Sequence, residues 1–253
     1  MQYGISILAI IPLRAEASER SEMVSQLLFG ETYEITDWQD KWVKIITAYD
    51  EYEGWISRVQ VSLINDEDYL TLQQTPSTLT TQPITITNKQ TDNSLLYLPA
   101  GSSLPFYENG SSWIVNEVFG VNGVGEVEND IISTAKTYLN TPYLWGGRTH
   151  FGIDCSGFTQ TVFKQHGIKI RRDASQQAEQ GTVVDFLHSA QAGDLAFFDN
   201  AESRIVHVGI MLDNEHIIHA SGRVKIERID DQGIYSDELK KHTHNLRIIK
   251  RYL

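Results

Sequence analysis

The chain has 253 residues, 41% of them apolar and 21% charged, with a formal charge of -12 and a single cysteine. This is the make-up of an ordinary globular protein of one large domain or two to three small ones. The acidic balance excludes binding to nucleic acid or anionic membrane through bulk charge. No stretch reaches the roughly 18 apolar residues of a membrane span, and a lone cysteine excludes an internal disulfide framework.

The N-terminus, Met1-Gln2-Tyr3-Gly4-Ile5, has no basic n-region and reads as a first strand, not a signal peptide. A cytoplasmic protein is therefore expected, or a periplasmic or exported one if a signal has been trimmed. Residues 1–65 alternate short β-rich runs with turns: Ser6–Ile11, Thr32–Thr36, Trp42–Ile46 and Gly54-Trp55-Ile56. Such spacing predicts a small all-β barrel. Trp38, Trp42, Trp55 and Trp113 all lie before residue 129, and large aromatics fill a small interior efficiently. Asn65 to Gln82 is polar and Thr-rich and reads as a linker or irregular edge. Residues 66–125 repeat the β theme, with a hairpin signal at Asn109-Gly110. They predict a second, degenerate barrel.

From residue 126 the pattern changes. Ile131, Ile132, Ala135, Tyr138 and Leu139 fall at helical spacing behind the capping pair Asn129-Asp130. A second helix is predicted from Asp154 to Gly167, and strands then run to Lys250. The predicted class is α+β.

Cys155 stands at the start of that second helix, behind Asp154 as N-cap. Unpaired N–H groups in a first helical turn favour a thiolate and would also stabilise an oxyanion, so a lowered thiol pKa is expected. The structural alternative is an inert buried cysteine. Of eight histidines, His207 and His219 lie on hydrophobic strand-like segments. Period 2 places His207 beside Gly209, which would leave space for the imidazole, and His219 could fix the tautomer of His207. Both could instead be satisfied core histidines. His150, His166, His188, His242 and His244 read as ordinary solvated positions. No His-Glu-x-x-His and no paired cysteines occur, so neither a metal nor another cofactor is expected.

Thr141-Pro142-Tyr143-Leu144-Trp145-Gly146-Gly147, Asp154-Cys155-Ser156-Gly157-Phe158, Arg172-Asp173-Ala174-Ser175-Gln176-Gln177, Ala192-Gly193-Asp194-Leu195, His207-Val208-Gly209-Ile210 and Ile218-His219-Ala220 follow one another in an order and spacing that resembles the NlpC family of bacterial cell-wall cysteine peptidases. The resemblance implies a papain-like domain over residues 126–253. It makes Cys155 the nucleophile, His207 the base, His219 the orienting residue and Tyr143 an oxyanion helper. Residues 1–65, with Pro12-Leu13-Arg14 and Glu53-Gly54-Trp55-Ile56, resemble a bacterial SH3-type domain. Two such barrels ahead of an NlpC domain resemble the γ-D-glutamyl-L-diamino acid endopeptidases of murein peptide recycling. That likeness implies small murein peptides as partners, a monomer, and an Asp173 that pairs with the free amine of the substrate. It also implies Trp145 as a pocket wall, Ser156 and Ser175 as substrate contacts, and Glu22 and Tyr52 as contributions from the first barrel. A non-catalytic wall-peptide-binding protein, or a thioester-forming amidase or acyltransferase, are the competing readings.

Overall fold

The computed structural model describes residues 2–252, which divide into two compact units between Glu126 and Val127.

The first unit begins with a seven-stranded antiparallel sheet. In spatial order its strands are Met23–Leu28, Ile10–Arg14, Glu53–Ser57, Trp42–Thr47, Thr32–Trp38, Gln2–Ile5 and Leu63–Ile64. Alternating residues Ile11, Leu13, Val43, Ile45 and Ile56 fill its core. The expected strand Ser6–Ile11 is broken: Ser6 to Ala9 bends, and pairing resumes at Ile10. A second antiparallel sheet runs Leu95–Leu98, Thr85–Lys89, Glu117–Val121, Ser111–Ile114. Asn109 (φ 50°) and Gly110 (φ 78°) make the expected tight turn. Ile5 and Ile64 of the first sheet, and Phe29 in the turn after Met23–Leu28, share one core with Leu98, Ile114 and Phe119 of the second, so a common core crosses the boundary expected at 65/66.

The polar stretch read as a linker contains helix α1 (Asp66–Gln74). Asn65 caps it by accepting from the Asp68 N–H at 2.8 Å, and Asp66, Glu67 and Asp68 place negative charge on the first turn. Only Tyr69 and Leu72 pack inward. End effects thus carry a helix whose apolar periodicity is too weak to betray it.

The second unit follows the predicted order of helices first, strands after. Helix α2 (Ile131–Thr137) is capped by Asp130, and α3 (Cys155–Gln165) by Asp154. A short α4 (Ala174–Ala178) follows Asp173. The sheet runs Thr182–Val184, Lys241–Arg251, Leu195–Asp199, Ile205–Met211, His216–Ser221, Arg223–Asp230 and Gly233–Ser236. Pairing of Gly233–Ser236 back onto Lys241–Arg251 closes six of these strands on themselves. Val208, Ile210, Ile218 and Ala220 form one core with Phe158, Val162 and Phe163 of α3. Ala196, Phe198, Met211, Ile217, Ile229 and Ile234 form a separate core on the other face, inside the closed sheet.

Candidate active site

Asp154 organises the start of α3. Its carboxylate accepts from the N–H groups of Gly157 (2.6 Å) and Gly146 (2.8 Å), and from Arg172 Nη1 (3.1 Å) and Nη2 (2.6 Å). Arg172 Nη1 also donates to Ser156 Oγ at 2.9 Å. The arginine is 1% exposed, so this is a buried, charge-assisted clamp on the first helical turn. Gly157 is required here, because a Cβ would lie 2.3 Å from the Gly147 carbonyl oxygen.

Cys155 is held against the sheet at Val208, the residue after His207. Backbone hydrogen bonds involving Val208 and Ser156 reach its sulfur. The phenol of Tyr143 is close enough for Cys155 and Asp154 to help raise its pKa, although burial is the main cause, so the phenol stays a donor. His207 Nε2 lies 2.8 Å from His219 Nδ1. The strand register sets this contact by pairing Gly209 with His219, and a Cβ on Gly209 would sit 2.8 Å from the His219 Cβ. The space left by that glycine therefore admits His219.

The expected lowered thiol pKa is overturned. Cys155 is 6% exposed, and burial pushes its pKa up to about 12, with Asp154 adding to the rise. The Val208 and Ser156 backbone and Arg172 pull the other way without reversing it. Burial holds His207 well below the ordinary imidazole value, and His219, His244 and Lys225 add to the fall. The resting pair is a neutral thiol and a neutral imidazole, which favours proton transfer during attack over a standing ion pair. Alkylation by iodoacetamide should then rise steadily between pH 6 and 9. A rate already level at pH 5 would show a resting thiolate.

The histidines set aside as solvated include three, His150, His166 and His244, that are half-buried and whose pKa values burial lowers. His244 lies on the strand Lys241–Arg251, and its ring stacks on His207 with centroids 4.1 Å apart and planes at 26°. Burial lowers its pKa to about 4. His242 is on the same strand, and His150 stacks on Tyr138 at 3.7 Å. Nitrogens of His207, His219 and His244 fall within 4.8 Å of one another. The stacked rings, however, direct their in-plane lone pairs alongside each other, so a chelate would need a ring to turn.

The remaining expected residues belong to both units, Ser156, Asp173, Ser175 and Trp145 to the second and Glu22 and Tyr52 to the first. Ser156 is buried, with its hydroxyl engaged by Arg172 and Asp154. Asp173 is the N-cap of α4, and its N–H donates to Gln176 Oε1 at 3.3 Å, as an ordinary cap would. Ser175 is exposed and Trp145 is 59% exposed. Glu22 is exposed beside the strand Met23–Leu28. Tyr52 packs on the first sheet's core, with its N–H donating to Thr47 Oγ1 at 2.8 Å. Sequence reasoning passed over Arg172 as the partner of Asp154, and Glu227, whose carboxylate lies 2.9 Å from His219 Nε2. The alternation Lys225-Ile226-Glu227 on a strand next to His219 was the only available signal for Glu227.

A cysteine at a helix N-terminus, packed against a sheet in which two adjacent strands carry a linked pair of imidazoles, defines a cysteine peptidase of papain-like build. Residues 140–244 match the NlpC/P60 family, and residues 13–61 match the bacterial dipeptidyl-peptidase Sh3 domain. The chain is 30% identical over 217 residues to the gamma-D-glutamyl-L-lysine dipeptidyl-peptidase of Bacillus subtilis, covering 78% of this chain and 71% of that one. It is 29% identical over 228 residues to the Bacillus cereus protein of the same name, covering 79% and 68%. A crystal structure of an NlpC/P60 family protein from Bacillus cereus superposes with a TM-score of 0.81 at 23% identity, covering 99% of both chains. This chain belongs to the NlpC/P60 family, with an SH3-like domain at its N-terminal end. Among the described residues no helix is long and apolar enough to cross a membrane.

Proposed function

We propose that the protein hydrolyses the bond between D-Glu, through its γ-carboxyl, and the diamino acid of murein peptides that begin with a free L-Ala. The observation that carries this reading is the Cys155 sulfur held at Val208, one residue from a His207 already linked to His219. The relatives' names supply the bond.

The ring nitrogen of His207 not engaged by His219 is Nδ1. It takes the thiol proton as sulfur attacks the γ-carbonyl of D-Glu. The phenol of Tyr143 and the N–H groups at the start of α3 receive the oxyanion. His207 returns the proton to the departing amine, and water then hydrolyses the thioester with His207 as base. Asp173, Trp145 and Ser175 form the substrate-facing set on this reading, with Asp173 answering the ammonium. Residues 66–125 act as a second, degenerate SH3-type module, and their four antiparallel strands support that reading. On this reading the enzyme works as a monomer.

Mass spectrometry of products from L-Ala-γ-D-Glu-L-Lys and its meso-diaminopimelate counterpart tests the proposal. Release of L-Ala-D-Glu supports it, and intact tripeptide after long incubation rejects it. Acetylating the amine removes the charge that Asp173 meets on this reading and adds bulk at that end of the peptide. The acetylated tripeptide should lose about 100-fold in kcat/KM, the scale of an unpaired buried charge of roughly 3 kcal/mol. Equal turnover of the two peptides would reject the amine pocket.

A further inference from the structure

Beyond His207 and His219, the hydrogen-bonded chain continues. His219 is fully buried, and its Nε2 lies 2.9 Å from Glu227 Oε2. The other oxygen of Glu227 is 3.1 Å from Lys225 Nζ, and the Ser236 side chain also bonds to the carboxylate. Burial raises the Glu227 pKa, but the bonds from His219, Ser236 and Lys225 outweigh it and bring the value to about 2. Glu227 is therefore a fixed anion, and a carboxylate only accepts hydrogen bonds.

That fact settles the protons one ring at a time. A neutral His219 facing a carboxylate must carry its hydrogen on Nε2. Its Nδ1 then holds a lone pair, 2.8 Å from His207 Nε2. The contact is a hydrogen bond only if His207 donates from Nε2, which leaves the lone pair of His207 on Nδ1. We propose that Glu227 is a positioning residue that, through His219, sets the tautomer in which His207 can act as a base. The proposal rests on the peptidase reading above and deepens it. Lys225 and His244 are the other titratable groups facing the relay.

Glu227→Gln is nearly isosteric, but its amide can donate as well as accept. A donating amide would draw the lone pair of His219 to Nε2, move its hydrogen to Nδ1, and drive the hydrogen of His207 onto Nδ1, where no base remains. On the full-length protein with L-Ala-γ-D-Glu-L-Lys, kcat should fall about 100-fold with KM little changed, well short of the loss from the wrong tautomer in a serine triad. Iodoacetamide alkylation of Cys155 at pH 7.5 should slow about tenfold, with its pH profile displaced upward. Glu227→Asp, which still only accepts, should recover much of both.

Imidazole 15N chemical shifts of the wild-type protein test the assignment without any variant. Both His207 and His219 should show hydrogen on Nε2. A hydrogen on Nδ1 of His219 in the wild type overturns the proposal, as does an unchanged kcat and pH profile in Glu227→Gln. If the tripeptide is not a substrate at all, the function reading fails, while the 15N shifts and the alkylation profile still decide the role of Glu227.

Discussion

Replacing Cys155 by alanine should abolish tripeptide turnover, with a loss of about 10⁵-fold or more, the scale seen when the nucleophile of a concerted catalytic group is removed. The fold should survive. The side chain is small, 6% exposed, and packs at the end of a core whose main contacts come from Phe158, Val162 and Phe163. Losing one sulfur there should cost about 1 kcal/mol. The relay itself stays whole, since His207 bonds to His219 and His219 to Glu227 without the sulfur. Cys155→Ser separates chemistry from shape further, because an alcohol in this enclosed site has a far higher pKa than the thiol it replaces. Retained turnover in the alanine variant would mean that another group performs the attack. Near-wild-type turnover in the serine variant would mean that proton transfer to His207 is not the demanding step.

How much of this was legible in the sequence depended on the range of the interactions. The caps Asp130 and Asp154, the start of α3 at Cys155 and the turn at Asn109-Gly110 are local, and each fell where expected. The pairing of His207 with His219 was readable because period 2 fixes which residues share a face, and adjacent strands then bring them together. Helix α1 was missed because its stability lies in an asparagine cap and an acidic first turn, not in an apolar stripe. His244 was misplaced for another reason. It lies on a long strand that closes the sheet by pairing with Gly233–Ser236, and no local pattern announces such a closure. The thiol pKa failed on a question of magnitude. A helix terminus contributes a modest, local field, whereas enclosure by α3 and the sheet removes solvent altogether, and only the folded chain shows how complete that removal is.

The largest stability effect should come from Arg172→Met. The guanidinium is among the most completely buried large side chains, and it meets Asp154 through both terminal nitrogens at 2.6 and 3.1 Å. Methionine matches much of its volume but leaves Asp154 as a carboxylate in a site 5% exposed, held by the N–H groups of Gly146 and Gly157 and the Ser156 hydroxyl with no cation to match it. Breaking one side of a buried pair typically costs 3–5 kcal/mol, on the order of a third of a domain's stability. The urea midpoint should therefore drop sharply. Asp154→Asn alone should also be costly, because it strands the arginine. Combining the two substitutions should cost less than the sum of the singles, since no unpaired charge remains. Additive losses would instead mean that each residue acts through separate contacts. Arg172 also draws the Cys155 pKa down, so any folded Arg172→Met protein should alkylate more slowly than wild type at a given pH. Unchanged alkylation, with stability lost as expected, would assign the clamp to holding the helix start in place and leave the tuning of the sulfur to Val208 and Ser156.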